Sequence, residues 1–379
     1  MTRRGPREGT ITHRKDGLWV AALHLGYADG KRQRKWLYGK SRAEVDDKLT
    51  RAKADHLRGI AVRTDERQTT GAYLERWLGN VEHTLRPRTV QGYRLIVAKH
   101  LIPTLGRVQL SKLTRDDVRG MVAHKRREGL SPQTLHNLHA VLRHAIEQAV
   151  RDDLVVRNVA RGIDLPRVER TEVRAVSHAD AVGILEAVRG DRIEPMVIVA
   201  MTCGLRQGEL LGLKWEDIDL DLGQIHVRRS LQRLNGEVKD VPTKTPLSRR
   251  DVAMPALAVD ALGLHRDRQR FDERWAGSRW HSTGYVFTST IGTPVTGGDL
   301  TKRFQARLAA AGLPRMRWHD LRHATATLML AAGEHPKVVQ ELLGHSTMAV
   351  TMAVYSHVIP SLKRDAADRM DALLKQAIS

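Results

Sequence analysis

Cysteine is almost absent from this chain of 379 residues, since Cys203 is the only one. A single cysteine excludes an internal disulfide and any zinc site built from several thiolates. Cys203 stands close to Arg206 in the sequence, two residues before Leu205. A cysteine nucleophile is therefore one alternative. A free cysteine is more often a small packing residue at a helix end, and the sequence favours that role.

Long apolar runs are absent as well. No stretch of about 18 apolar residues occurs, the length that a membrane-spanning helix needs, and no apolar signal core follows the N-terminus. The sequence therefore predicts a soluble, cytoplasmic protein without a membrane partner. With 41% hydrophobic residues, the chain is expected to fold into two or three globular domains.

Acidic residues are in deficit. The 43 Asp and Glu residues stand against 63 Lys and Arg, which leaves a formal net charge of +20 at pH 7. Such a charge favours a polyanionic partner, and nucleic acid is the first candidate. A two-metal nuclease needs several carboxylates that converge on divalent cations, whereas the acids near the candidate catalytic residues are scattered. The sequence therefore predicts chemistry without a metal or other cofactor.

Residues 1–60 have the pattern of a small basic domain with three strands and a helix. Turn signals at Asp16-Gly17 and Ala28-Asp29-Gly30 separate the strands, and Ser41 with Glu44 forms a capping box that begins the helix. The predicted strands are residues 11–14, 18–25 and 32–38. Alternation predicts one face suited to a DNA groove, formed by Trp19, His24, Arg32, Arg34 and Trp36. A solvated basic sheet is the alternative.

Residues 66–160 are predicted to form a helical domain, after a polar linker at residues 58–68. An apolar stripe of Tyr73, Leu74, Trp77 and Leu78 indicates the first helix. The other boundary signals are Pro87 at the start of a second helix, Pro103 and Gly106 at its end, Thr114 with Asp117 as the cap of a third, and Ser131-Pro132 at the start of a fourth. The pattern is typical of a small four-helix domain.

The polar faces of these helices are rich in cations. A solvated face is the ordinary role of such residues, but acidic partners are few, and we expect these cations to clamp the DNA backbone. The residues are Arg86, Arg88, Arg94, Lys99, Lys112, Arg115, Lys125, Arg126 and Arg127.

Residues 172–379 are predicted to form one mixed domain, after a second linker that runs from Arg157 through Pro166 to Val173. Helices are expected at residues 178–188 and 193–203, and a small antiparallel sheet is expected from residues 224–234 and 249–255. The whole chain is therefore predicted to be mainly α with small antiparallel sheets, an α+β protein.

Arg206 stands between two glycines in the segment Gly204-Leu205-Arg206-Gln207-Gly208. The glycines permit a sharp turn between helices, so Arg206 is expected to project from the junction. A merely solvated arginine is the alternative.

His319-Asp320-Leu321-Arg322 is predicted to begin another helix. His319 and Arg322 lie one turn apart, so both are expected to address a single phosphate. His323 lies four residues after His319, which is a zinc-ligand spacing, but the general-base glutamate of the familiar helical zinc motif is missing. Further along, Gly344 is a candidate helix C-cap ahead of His345, and Tyr355 follows. For a lone histidine or tyrosine, a packed core position is the ordinary role.

As a set, these side chains have the chemistry that a phosphodiester requires. Guanidiniums bind the non-bridging oxygens, an ammonium and imidazoles transfer protons, and a phenol can attack phosphorus. The set occurs in the order Arg206, Glu209, Lys244, His319, Arg322, His345 and Tyr355. In this order it resembles the tyrosine recombinase family, and within it the integrases of phages and integrative elements. The resemblance covers nearly the whole chain.

The resemblance implies a role for each residue. Tyr355 would be the nucleophile, Arg206 and Arg322 would clamp the scissile phosphate, and Lys244 would protonate the leaving 5′ oxygen, with Lys239 as the competing lysine. His319 would manage the proton of the nucleophile, His345 would hydrogen-bond the phosphate, and Glu209 would support the site from behind.

The resemblance also implies an architecture and partners. It assigns residues 1–60 to an arm-type DNA-binding domain, residues 66–160 to a SAM-like core-binding domain and residues 172–379 to catalysis. It implies a homo-tetramer on the double-stranded DNA of attachment sites in a bacterial host, with an excisionase and a host DNA-bending protein as candidate partners. The tail, residues 361–379, would be helical and dock on a neighbouring subunit or on its own domain. A type IB topoisomerase and a non-catalytic DNA-binding regulator are the alternative functions.

Overall fold

The computed structural model describes residues 10–14, 17–28, 31–57, 68–169, 176–242 and 249–344, with a few single positions after them. The chain divides into two compact units, Met1–Arg170 and Thr171–Ser379. Helices predominate and the strands form small antiparallel sheets, which confirms the predicted fold class. Among the described helices, none is long and apolar enough to cross a membrane.

The first unit begins with a three-stranded antiparallel sheet and one helix. The elements are β1 (Thr10–His13), β2 (Trp19–Ala28), β3 (Lys31–Gly39) and α1 (Arg42–Leu57). Helix α1 begins as predicted, because the Glu44 amide donates to Ser41 Oγ at 3.2 Å and the Glu44 carboxylate accepts from the Lys40 amide at 2.9 Å. The apolar side of α1 packs on β2 and closes a small core of Ala21, Leu23, Val45, Leu49 and Ala52.

The prediction that Trp19 shares one sheet face with Arg34 and Trp36 is wrong. Trp19 packs against the core side, because it shares its strand face with Ala21 and Leu23. The opposite face carries Trp36, which is 50% exposed, and the exposed Arg34. Strand alternation places Arg32 in the same register set as these two, although its side chain lies outside the described part. The two tryptophans therefore lie on opposite faces of the sheet, whereas the sequence predicted one shared face.

The helical part of the first unit follows the predicted boundaries closely. Its elements are α2 (Thr70–Val81), α3 (Pro87–Ile96), a π-helical turn (Val97–Leu101), α4 (Ile102–Leu105), α5 (Arg115–Arg127) and α6 (Pro132–Arg151). Thr114 and Asp117 form a capping box for α5, and Ser131 caps α6. Tyr73, Leu74 and Trp77 are buried in the core, and the Tyr73 hydroxyl donates to the Ala145 carbonyl at 2.6 Å.

Pro103 does not end its helix, contrary to the prediction. The chain widens into the π-helical turn just before it, and the Ile102 amide donates back to the Val97 carbonyl. The wider turn accommodates a residue that has no N–H to donate and whose ring would clash in a regular α-helix. The helix then ends at Gly106, as predicted.

Two of the cations that were predicted to contact the DNA backbone form ion pairs with acidic side chains. Lys125 is only 5% exposed, and its ammonium binds both carboxylate oxygens of Glu128 at 3.0 and 2.9 Å. Arg94 forms an ion pair with Glu82. Lys125 is therefore excluded from the backbone-clamping face, because its side chain is buried and its ammonium is bound to Glu128.

The predicted second linker begins later than expected. Val159, Ala160 and Ile163 pack into the helical core instead of crossing solvent. The His139 ring bonds the Ala160 carbonyl at 2.7 Å, and the His136 ring bonds the Pro166 carbonyl at 3.0 Å. Apolar side chains at three close positions explain why this segment is held against α6.

The second unit surrounds one large core with helices and two small sheets. Its elements are α7 (His178–Val188), α8 (Glu194–Cys203), α9 (Gln207–Leu211), β4 (Ile218–Asp219), β5 (Gln224–Val227), β6 (Arg229–Leu234), β7 (Glu237–Pro242), β8 (Arg250–Ala253), α10 (Ala256–Ala276), α11 (Gly297–Ala310), α12 (Trp318–Ala331) and α13 (Pro336–Leu343). Helix α8 is apolar on all sides because it lies between α7, α10 and α12.

The strands of the second unit form two sheets, where one was predicted. Strands β4, β5 and β8 form a three-stranded antiparallel sheet, whereas β6 and β7 form a separate hairpin. The predicted strand 224–234 is broken at Arg228, so Ile225 pairs with Val252 while β6 pairs with β7. Asn235 and Gly236 turn the hairpin with φ of 52° and 89°, which is the left-handed conformation that this pair favours.

The buried hydrogen bond of Tyr73 gives a direct test of the helical core. We expect Tyr73→Phe to lower the local free energy of unfolding of α2 and α6 by about 1–2 kcal/mol, because the Ala145 carbonyl loses a buried donor. Native-state hydrogen exchange of the α6 amides measures this change. The same substitution at the exposed Tyr38 should leave those amides unchanged. Equal protection in the Tyr73→Phe protein would contradict the prediction.

Candidate functional site

Arg206 lies at the sharp junction between α8 and α9. Gly204 ends α8 with φ of 60°, and a Cβ at this position would overlap the Leu343 side chain. Arg206 then takes the N-cap position of α9, with its backbone amide donating to Glu209 at 3.0 Å. Gly208 permits equally close approach of β6, since a Cβ there would overlap Ser230. The two glycines therefore bring α13 and the β6–β7 hairpin against the turn that carries Arg206.

Glu209 is the buried centre of this site. Its side chain is 4% exposed, and its two oxygens accept from Arg206 Nη1 at 2.6 Å and from Arg250 Nη2 at 3.1 Å. Burial alone would raise the pKa of this carboxyl. The charges of Arg250 and Arg206 and the hydrogen bonds from Arg206 outweigh burial, so the pKa is lowered and Glu209 stays ionised.

Three arginines converge on the C-terminal end of α13. Arg250 Nε donates to the Leu342 carbonyl at 2.7 Å, Arg322 Nη2 donates to the Leu343 carbonyl, and Arg206 Nη2 donates to the Gly344 carbonyl at 2.8 Å. The last carbonyls of a helix have no partner within the helix and carry its partial negative charge. Each of three successive carbonyl groups therefore receives its own guanidinium.

Arg322 is the most enclosed of the three. The residue is 3% exposed, and Nη1 also donates to the Gly204 carbonyl at 2.6 Å. Burial and the neighbouring charge of Arg206 lower the pKa of Arg322 to about 9, which leaves it charged at pH 7. Helix α12 thus contributes a fixed cation that is held from two sides by backbone carbonyls.

His319 lies one helical turn before Arg322 at the start of α12, where the protein covers its ring in part. Its ring meets the His323 ring edge-on, with centroids 4.9 Å apart. Desolvation by the surrounding protein, the charge of a protonated His323 and the charge of Arg322 lower the pKa of His319 to about 4. His319 is therefore a neutral imidazole at pH 7 that can accept a proton.

Cys203 has the packing role that the sequence favoured. Its side chain is fully buried and burial raises its pKa to about 11, so the thiol stays protonated and enclosed. The zinc alternative at His319 and His323 gains no third ligand, since no group of three His, Cys, Asp or Glu side chains suited to a metal ion occurs among the described residues.

Arg250 belongs to the site but is not among the residues that the sequence identifies, although it lies in the predicted strand at residues 249–255. The strand β8 buries Val252, and alternation turns Arg250 toward the same side. Its side chain is only 8% exposed. An arginine two residues before a buried valine in a short strand is the signal that could have revealed it.

Three of the predicted catalytic residues, Lys244, His345 and Tyr355, lie outside the described residues, as does most of the predicted tail helix. Lys239, the competitor of Lys244, lies on β7 and pairs with Glu237 at 2.7 Å. The predicted DNA contacts Arg86, Arg88, Arg94 and Arg126 are all exposed; Arg86 directly precedes α3, and the other three lie on helices of the first unit.

Comparison with known sequences finds relatives along nearly the whole chain. Residues 174–361 match the phage integrase family, and residues 69–126 match the N-terminal SAM-like domain of phage integrases. The chain is 32% identical over 372 residues to an integrase of Streptomyces ambofaciens, with 94% of each protein covered. It is 31% identical over 370 residues to a XerC-like tyrosine recombinase of Caldanaerobacter subterraneus subsp. tengcongensis, with 91% of this chain and 93% of the relative covered.

Solved structures of the same fold extend this likeness. The integrase of the Tn1549 transposon in complex with a circular intermediate DNA superposes with a TM-score of 0.68, at 21% identity, and covers 79% of this chain and 99% of its own. A lambda integrase tetramer bound to a Holliday junction superposes with a TM-score of 0.58 at 18% identity, and covers 93% of this chain and 96% of its own. At these identities the likeness is one of fold.

The lowered pKa of His319 gives a test of the site's electrostatics. We expect the His319 imidazole of the free protein to titrate with a midpoint near pH 4, so that it stays neutral as the pH falls from 7 to 5. NMR titration of its ring protons measures the midpoint. His323→Gln removes one of the neighbouring charges and should raise it. A midpoint near the ordinary value of about 6.5 in the native protein would contradict the assignment of a desolvated, cation-flanked ring.

Proposed function

This chain belongs to the phage integrase family and is a tyrosine-type site-specific recombinase, and we propose that it cleaves and rejoins the DNA of attachment sites through a covalent 3′-phosphotyrosyl intermediate. The observation that carries this proposal is the group of buried and half-buried guanidiniums around Glu209. Arg206 and Arg322 reach neighbouring carbonyls of one helix end, so their positive charges are gathered at one point. A phosphate is the ligand that such a forked, paired charge suits.

The proposed reaction needs no external energy source. The Tyr355 oxygen attacks the scissile phosphorus, the bond to the 5′ oxygen breaks, and a phosphotyrosyl bond forms at the 3′ side. One phosphate ester replaces another, so the bond energy is conserved and a 5′-hydroxyl of a second strand can reverse the step. This reversibility supports strand exchange through a four-way junction and both integration and excision of a phage or mobile element.

The proton transfers are assigned by the state of each group. His319 is neutral at pH 7 in the free protein and so has the lone pair that accepting the phenol proton requires, although a pKa of about 4 makes it a weak base there. Lys244 then gives a proton to the leaving 5′ oxygen, and His345 donates a hydrogen bond to the phosphate. Arg206 and Arg322 stabilise the charge that develops on the non-bridging oxygens, a contribution of about 3 kcal/mol or more for each donor in comparable sites.

Glu209 has a positioning role in this scheme. Its carboxylate holds both the backbone amide and the side chain of Arg206. One negative charge between Arg206 and Arg250 also limits the mutual repulsion of the guanidiniums. The arrangement therefore keeps a net positive charge where the phosphate would bind and keeps Arg206 in one orientation.

The three predicted domains receive complementary roles. Residues 1–60 bind arm-type sites through Arg32, Arg34 and Trp36, and residues 66–160 bind the core site. The cations assigned to backbone contacts in the second domain are Arg86, Arg88, Arg94 and Arg126. Residues 172–379 carry catalysis. The exposure of the arginines on α3 and α5 and of Trp36 supports these assignments.

The proposed assembly is a homo-tetramer on two DNA duplexes. The shared fold with an integrase whose tetramer binds a Holliday junction supports it. In this assembly the tail, residues 361–379, docks on the neighbouring subunit. A directionality factor and a host DNA-bending protein are the proposed accessory partners, and the protein acts on DNA in the cytoplasm of a bacterial host.

Replacement of the nucleophile tests the proposal. The probe is a nicked duplex with the junction sequence mapped at the ends of the element that carries the gene. We expect the native protein to form a covalent adduct that denaturing gels resolve, with or without EDTA, and Tyr355→Phe to form none because the attacking oxygen is gone. Tyr93→Phe is the matched control and should form the adduct.

Two outcomes would contradict the proposed function. A covalent adduct with Tyr355→Phe would mean that another residue attacks. A two-site plasmid that is relaxed but never recombined by the native protein would indicate a topoisomerase instead.

A further inference from the structure

Arg250 links two of the described segments of the site, α9 and the end of α13. It begins β8, a few residues after Lys244 in sequence, and it bonds both Glu209 on α9 and the C-terminal end of α13. Gly344 ends α13 and is followed directly by His345 in the sequence. None of the roles assigned above uses this arginine as part of the reaction.

The side chain of Arg250 is enclosed and is held by groups of the protein itself, and the resemblance assigns it no contact with the scissile phosphate. It is only 8% exposed, compared with 37% for Arg206. Its Nε is committed to the Leu342 carbonyl at 2.7 Å and its Nη2 to Glu209 Oε2 at 3.1 Å. A buried guanidinium with these partners acts through them.

The partners of Arg250 are the groups that fix Arg206. Glu209 Oε2 also accepts from the Arg206 amide at 3.0 Å, and Glu209 Oε1 accepts from Arg206 Nη1 at 2.6 Å. The Leu342 carbonyl lies two residues before Gly344, whose carbonyl receives Arg206 Nη2 at 2.8 Å. Arg250 thus supports both anchors of the Arg206 guanidinium from behind.

We propose that Arg250 is a positioning residue of the recombination reaction, which holds Glu209 and the end of α13 so that Arg206 meets the phosphate in one orientation. The inference rests on the proposed function of this site. It predicts that Arg250 is needed for strand cleavage but makes little contribution to DNA affinity.

The charge state of Glu209 also depends on Arg250. The charged groups that face this carboxylate are Arg206 on α9, Arg250 on β8 and Arg322 on α12. The charge of Arg250 is the first of the influences that lower the pKa of Glu209 against the effect of burial. Without it the pKa of Glu209 should rise. Glu209 is ionised above its pKa, and the native arrangement of charges requires this ionised form. If loss of Arg250 raises the pKa of Glu209, the cleavage rate should begin to decline at a higher pH than in the native protein.

The test compares Arg250→Met with Arg249→Met, which removes the adjacent, exposed arginine. The nicked attachment-site duplex is the probe, and the measurements are the adduct rate from pH 5 to 8 and the equilibrium DNA affinity. We expect Arg250→Met to lower the rate at least about tenfold at pH 7, in the range seen when supporting partners of active-site ligands are removed. The rate should fall further as the pH is lowered. The DNA affinity of Arg250→Met should stay within about twofold of the DNA affinity of Arg249→Met. Each variant lacks one arginine, and the loss of one charge at an exposed position has a small effect.

Arg250→Lys keeps the charge beside Glu209 but cannot make both contacts of the guanidinium. We expect it to retain the native pH profile with an intermediate rate, and this variant decides the matter if Arg250→Met fails to fold. The inference would be overturned if Arg250→Met kept the native rate and pH profile. It would also be overturned if Arg250→Lys, which keeps the charge, shifted the pH profile as far as a loss of that charge is expected to shift it. An equal loss of DNA affinity and rate would also overturn it. If the native protein itself forms no adduct, the proposed function fails instead.

Discussion

The site depends on how one helix end is satisfied. The last three carbonyl groups at the end of α13 each accept from a different arginine, and one buried carboxylate, Glu209, holds two of those arginines together. Either feature alone would be costly, because buried guanidiniums and a buried carboxylate both lose hydration. Together they convert three segments that are distant in the sequence into a single arrangement of charge.

The same constraint explains the glycines around the site. Gly204 must take a left-handed conformation and leave room for Leu343, and Gly344 ends α13 with φ of 62°. Arg322 then reaches the Gly204 carbonyl and the Leu343 carbonyl at once. The glycines that end α8 and α13 therefore also place backbone carbonyls where the arginine side chains bind them. A fixed set of cations of this kind can stabilise a phosphoryl transition state without reorganisation.

Much of this could be read from the sequence, because local signals decide local structure. The capping pairs at Ser41 and Thr114 and the Asn235-Gly236 turn formed as predicted. What the sequence could not reveal was long-range. The inward turn of Arg250 depends on Glu209 and the Leu342 carbonyl, which become adjacent to it only after folding. Pro103 was misread because a π-helical turn, which has no simple sequence signal, absorbed it.

The most direct test of the account is a structure of the Tyr355→Phe protein bound to its attachment-site duplex. In this complex we expect a non-bridging oxygen of the scissile phosphate to lie about 3 Å from guanidinium nitrogens of both Arg206 and Arg322. We expect Glu209 and Arg250 to remain joined and not to touch the DNA. A scissile phosphate held by other cations, with Arg206 and Arg322 bound only to the protein, would contradict it.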